Sequence, residues 1–156
     1  MRVNPSLQKK SAARLSAVQC LYHHKMNAQT LSPPQQVAAL KAQLANNRDE
    51  QKLLVGAPIE PNYALLEALL EGVAQRQADI DARLDGALTA EWKRDRMSPV
   101  LVAILQCAIF ELFFHKDGKP AVIIDEYTRL TRSFFGEGEV NFVYGALSTL
   151  SKQYHG

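Results

Sequence analysis

Apolar residues recur along this chain at intervals of three and four, and nowhere does a run alternate with period two, so the pattern predicts helices throughout. Leu7, Ser11, Leu15, Val18, Tyr22 and Met26 form the first stripe and predict a helix from Ser6 to about Met26 with that face inward. Ser32-Pro33-Pro34 opens a second helix carrying Val37, Leu40 and Leu44, which the polar stretch 46–52 ends or loosens. Gly56, Pro58 and Pro61 mark a connection. From Asn62 to about Leu88, the residues Leu66, Leu69, Leu70, Val73, Ile80, Leu84 and Leu88 make a long stripe, bent or broken near Gly72 or around Asp79. Ser98-Pro99 caps the next helix, which is apolar nearly all round and is stopped by Gly118 after Lys116, so it should be the hub of the core. After Pro120, Ile123, Tyr127, Leu130 and Phe134 define another stripe ending at Gly136 and Gly138, and Val140, Val143, Leu147, Leu150 and Tyr154 share a face of the last helix.

These elements add up to an all-α chain, a compact bundle of six to seven helices. Its 156 residues suit a single domain spanning 1–156 and leave no room for a second, catalytic one. The longest apolar stretch, 100–114, is interrupted by Gln106 and Glu111 and is shorter than the roughly 20 residues a membrane span needs. No secretory signal is visible near the N-terminus, so the expected location is the cytoplasm, with no membrane partner. Cys20 and Cys107 sit inside apolar helical patterns, where free thiols behave as small hydrophobes, and a disulfide is not expected.

Net charge is only +2, but its distribution is lopsided. Residues 1–48 hold seven basic side chains (Arg2, Lys9, Lys10, Arg14, Lys25, Lys41, Arg48) and no acidic one; residues 49–115 hold six basic and eleven acidic; residues 116–156 hold five of each. A basic end on a neutral-to-acidic body fits an anionic partner such as nucleic acid, though a solvated helix face gives the same pattern. On a helical projection Lys10 and Arg14 lie on one flank of the first stripe and Lys9 nearly opposite it, which places these cations on exposed and boundary surfaces.

Candidate chemistry is sparse. Cys20 and His24, four apart, and Cys107 and His115, eight apart, lack the CxxC or HExxH company of a metal site. Asp125-Glu126 reads as a complement to a helix's positive end, and Asp79, Asp81 and Asp85 as a solvated helical face. Gly136-Glu137-Gly138 has no strand before it and lacks the rest of a phosphate loop. No catalytic residue, metal or cofactor is assigned. One aromatic stands out: Phe142 projects about 110° from the apolar face of the last helix, just after a glycine-rich turn, with Asn141 further still. Such an aromatic suits stacking on an unpaired base, and it equally suits packing against a neighbouring helix.

Several segments in order resemble the NusB family. They are 12–22 (AARLSAVQCLY), 70–84 with Trp92, 98–112 (SPVLVAILQCAIFEL) and 122–147 (VIIDEYTRLTRSFFGEGEVNFVYGAL). Only about 27–60 falls outside the resemblance. It implies an all-α fold of two packed helical subdomains and a non-catalytic role in transcription antitermination, notably on ribosomal RNA operons. It further implies binding of boxA-type single-stranded RNA together with NusE, a small-subunit ribosomal protein, and action on the transcription elongation complex.

Carried over by position, the family's basic first helix corresponds to Lys9, Lys10 and Arg14, followed by Gln19 and Tyr22, and the start of its last helix to Glu139, Asn141 and Phe142. The lysines and Arg14 would meet phosphates, Phe142 would stack a base, and Asn141 or Gln19 would bond a base edge. The acidic middle segment is the expected receiver of basic NusE. An apolar patch that closes a homodimer looks the same in sequence as one that receives NusE.

This chain also departs from the family. Val102 and Gln106 stand where arginines are frequent, Tyr144 replaces the usual Asn of F-V-N-G, Ser148 the usual Asp after V-L, and Asp125 the Asn of I-N-E. Pro120-Ala121 runs directly into Val122 without the basic residue often found there. Each lost phosphate contact would weaken RNA binding, unless those arginines were structural partners. The departures motivate an alternative: a diverged protein-interaction module with weak or no RNA binding. RNA cytosine methyltransferases carry a similar helical domain, but these 156 residues show no dinucleotide-type βαβ unit.

Overall fold

Proline stands at the first turn of four helices in this chain, where its fixed φ is already helical and its missing N–H costs nothing. The computed structural model describes residues 5–27, 31–54, 60–89, 91–115 and 118–155, leaving aside the side chains of 24–27, 46–54 and 154–155. Of the residues singled out above, Arg2, His24, Lys25, Met26, Arg48, Gly56, Pro58, Lys116 and Tyr154 lie outside the described side chains. The described residues form seven α-helices: α1 (Pro5–Asn27), α2 (Pro33–Leu54), α3 (Tyr63–Gln75), α4 (Gln77–Ala87), α5 (Pro99–Phe113), α6 (Pro120–Arg132) and α7 (Glu137–His155). A single 3-10 turn, Arg94–Arg96, lies between α4 and α5, and no strand occurs among the described residues. The chain divides into two units, Met1–Glu71 and Gly72–Gly156, with the division falling inside α3.

In the first unit, α1 buries Ala13, Arg14, Ala17 and Val18. The expected stripe is therefore rotated: Leu7 and Leu15 are among the most exposed large apolar residues, at 49% and 36%. Alanines four apart allow close backbone approach, which a leucine-lined face does not. Ser32 and Gln35 form a reciprocal capping box at the start of α2, the Ser32 N–H donating to Gln35 Oε1 (2.9 Å) and the Gln35 N–H to Ser32 Oγ (3.3 Å). α2 then continues to Leu54, past the polar stretch expected to end it. That stretch contains neither Gly nor Pro, and its Arg, Glu, Gln and Lys are good helix formers. Asn62 caps α3 by accepting the Leu65 N–H at 3.0 Å, and its own N–H donates to the Lys9 carbonyl at 2.9 Å, tying the connection to α1.

The second unit is organised around α5, in which every residue from Leu101 to Phe113 is buried. α4, α6 and α7 all pack on it, and α7 also packs on α4 and α6. The expected long helix breaks at Arg76, between the two points anticipated. Arg76 holds its guanidinium 4.5 Å over the Phe114 ring. Gly72 serves packing instead: a Cβ there would lie 2.0 Å from the Phe110 ring. α5 ends at Phe113, before Gly118, as the Phe114 and His115 N–H groups both turn to the Phe110 carbonyl. Ser98 occupies the cap position of α5 without a side-chain hydrogen bond. In α6 the inward face is Ile123, Ile124, Tyr127, Thr128 and Thr131, so Phe134, expected on it, is past the helix end and 40% exposed. α7 buries Val140, Val143, Ala146, Leu147 and Leu150.

Polar groups inside this unit are partnered. The Tyr127 hydroxyl donates to the Glu111 carboxylate in the interior. Asp81 is buried, which corrects its reading as part of a solvated face. It accepts from Gln106 Nε2 at 2.9 Å and from Arg94 Nη1 at 3.0 Å, while Arg94 also grips Asp85 bidentately at 2.9 and 3.0 Å. The hydrogen bond to Asp85 is the main reason the Arg94 guanidinium is held even more firmly in its charged form.

Candidate nucleic-acid interface

A helix turns about 100° per residue, so the residues proposed on α1 cannot all face one way. Lys9 and Gln19 are exposed and Lys10 and Tyr22 half-buried. Arg14 is buried at 7%, contrary to its expected place on the surface. It lies within the buried arc of Ala13, Ala17 and Val18, and Lys10, one turn earlier, projects on the same side. Lys9 and Gln19 remain as the outward polar pair of α1, about 80° apart in projection. Leu15 sits with Tyr22 on the side away from the alanines.

In the second unit, Asn141 is exposed and Phe142 half-buried near the start of α7. Phe142 is already engaged: its ring stacks on Trp92, centroids 4.2 Å apart and planes within 10°. The neighbour that Phe142 packs against is thus a residue between helices, and Phe142 still reaches the surface. Trp92 is the partner that periodicity missed. Its signal was compositional, the chain's one tryptophan standing in a polar segment between helices.

The departures from the family pattern have definite places. Val102 and Gln106 are buried at 6% and 2%, in α5. Side chains at these two positions face the interior, and Gln106 serves Asp81. Tyr144 is 58% exposed on α7, about 160° in projection from Phe142. Asp125 and Glu126 lie in the middle of α6 and both pair with Arg129, at 3.0 and 3.6 Å, instead of complementing a helix start. The acidic surplus of the middle segment is partly neutralised in place, by Arg83 on Asp79 and Arg94 on Asp81 and Asp85.

Other chemistry is not assembled. Among the described residues no group of three or more His, Cys, Asp or Glu side chains converges as a metal site, and no helix is long and apolar enough to cross a membrane. Cys107 is buried in α5, while His115 stacks on Phe110 with centroids 5.7 Å apart. Neither cysteine is in a disulfide, and burial pushes the Cys20 thiol up.

Residues 11–152 match the model described as the NusB family. The chain is 33% identical over 144 residues to the transcription antitermination protein NusB of Maricaulis maris, covering 90% of this chain and 84% of that one. It is 31% identical over 156 residues to the protein of the same name from Sphingopyxis alaskensis, covering 96% and 97%. Among solved structures it resembles T. maritima NusB, with a TM-score of 0.70 and 22% identity over 98% of this chain and 94% of that one. It also resembles a chain in a crystal structure of antitermination factors NusB and NusE in complex with dsRNA, with a TM-score of 0.69 and 22% identity over 92% and 96%.

Proposed function

The chain belongs to the NusB family, and from that premise we propose that it binds boxA-type RNA together with NusE and supports transcription of ribosomal RNA operons. Membership makes it a non-catalytic transcription antitermination factor. One observation carries the finer reading: the family match runs from residue 11 to 152 and so takes in α1 from Ser11 onward, just after Lys9 and Lys10, and the start of α7. The solved NusB–NusE–dsRNA complex supports RNA and NusE as the partners. Lys9 and Lys10 supply phosphate contacts on α1, Gln19 and Asn141 present outward amides, and Phe142 offers the aromatic. Arg14 and Tyr22 stay in the proposed set with reduced parts, Arg14 orienting α1 from within and Tyr22 contributing at a groove edge. The protein acts in the cytoplasm, on the elongation complex, as one domain over 1–156.

The test is a titration of labelled boxA RNA, with and without NusE, across a salt series. Binding at low salt, strengthened by NusE, is expected. Lys9→Ala with Lys10→Ala should lower the slope of log affinity against log salt by about 1.4, at about 0.7 per phosphate contact on a single strand. Absence of binding in both mixtures at low salt overturns the reading. The burial of Arg14 favours a second reading, a protein-interaction module without RNA. Binding of NusE with no RNA uptake in the same mixtures would establish it.

A further inference from the structure

Beside the Trp92–Phe142 stack lies a cavity of about 170 Å³ whose lining includes Glu91, Trp92, Lys93, Arg96, Phe135 and Glu139. Phe142 is not among its walls, so the cavity opens on a part of the indole that Phe142 leaves free. Its volume slightly exceeds the about 150 Å³ that admits a benzene ring. Lys93 and Arg96 are exposed, and neither makes an ion pair among the described residues. Of the two residues between them, Arg94 is clamped to Asp81 and Asp85, so the segment that presents both cations is held in advance.

We propose that this cavity is a nucleotide subsite that takes one unpaired base of single-stranded RNA against Trp92. Aromatic walls with flanking cations are the combination that holds unpaired nucleotides, the ring stacking a base and the cations meeting the phosphates. Glu91 and Glu139 supply acceptors for an exocyclic amino group, as on cytosine. Phe142 braces the far part of the indole, which makes it a positioning residue for this subsite. The proposal rests on the RNA-binding reading above and adds the 91–97 segment, which neither charge nor periodicity singled out.

Because Trp92 is the chain's single tryptophan, its indole N–H gives one resonance, which reports on this cavity and on the Phe142 ring stacked beside it. Titrating the whole protein with cytidine 5′-monophosphate should shift that resonance saturably. Lys93→Ala with Arg96→Ala, two exposed substitutions, should weaken the titration at least fivefold with an unchanged far-ultraviolet dichroism spectrum. Trp92→Leu should weaken binding of boxA-type RNA about tenfold, within the range found for removing one stacking aromatic. An indole resonance that cytidine 5′-monophosphate leaves unmoved overturns the subsite. So does boxA-type RNA that binds in the presence of NusE without moving it, an outcome that leaves the RNA-binding reading intact. If the nucleotide shifts the resonance while boxA-type RNA fails to bind, the subsite holds and the broader reading falls.

Discussion

The first helix and the fifth bury their residues by different rules. Along α5 every side chain from Leu101 to Phe113 is enclosed, including Gln106 and Glu111, so residue type has no bearing on whether a position is buried and decides only how it is satisfied. Among the described side chains of α1 one arc is enclosed, and it consists of Ala13, Ala17, Val18 and the cation Arg14, while Leu7 and Leu15 point outward. A helix surrounded by neighbours must solve packing and polar satisfaction at each position. A helix covered on one side selects the residues that let it approach closely, and small ones do so at little gain in buried apolar area.

The largest effect expected from this difference lies in paired truncations. Ile104→Ala, in the enclosed helix, should cost about 2–5 kcal/mol, the transfer loss plus a cavity that surrounding helices cannot close. Leu15→Ala, on the outward side of α1, should fall within about 0.5 kcal/mol of the parent. Urea denaturation of the two variants reads the contrast directly. Equal losses would break the comparison, because they would mean that Leu15 is enclosed in the folded protein.

The same two helices show what was legible in the amino-acid pattern. α5 was legible because an apolar run bounded by Ser98-Pro99 admits few alternatives, and an all-round apolar helix has to be a hub. α1 was legible as a helix but its orientation was not, since hydrophobicity ranks leucine above alanine while close packing can reverse that order. The break was expected near Gly72 or Asp79 and falls between them at Arg76, which neither Gly nor Pro marks, while Gly72 answers to the Phe110 ring. Among the candidate site residues, Lys9, Gln19 and Asn141 project outward as their helical phase requires. Arg14 does not. The stack of Phe142 on Trp92 joins residues fifty positions apart, a distance across which no periodicity operates.

An intermediate effect is expected where a polar residue sits inside the enclosed helix. Gln106 donates to buried Asp81, so Gln106→Leu leaves that carboxylate with Arg94 as its remaining donor among the bonds described and should cost about 1–3 kcal/mol. Gln106→Glu should cost more, since it sets a second carboxylate against the first. Both are read by thermal and urea unfolding. A neutral Gln106→Leu would show that enclosure in α5 tolerates an unsatisfied acceptor, which would weaken the rule drawn from it. RNA affinity should be unchanged in both variants, because position 106 faces the interior.

The smallest effect, and the finest test of the contrast, uses the two thiols that the helices carry. Cys107 is fully enclosed in α5, and Cys20 is half-buried in α1. Burial raises the Cys20 pKa, and the nucleophile in alkylation is the thiolate, so Cys20 should react with iodoacetamide at pH 8 more slowly than it does in the unfolded chain. Cys107 should react only on the timescale of unfolding. The sign of the accompanying pH effect follows from proton linkage: a folded-state thiol with a raised pKa keeps its proton where the unfolded thiol loses it. The stability held by that neutral thiol is fully present below the ordinary thiol pKa of about 8.5 and declines as pH rises through the folded value. Cys20→Ala should therefore flatten the fall in melting temperature as pH rises above about 8.5. If both thiols of the native protein are alkylated at one rate, enclosure does not separate α1 from α5, and the two helices follow one rule.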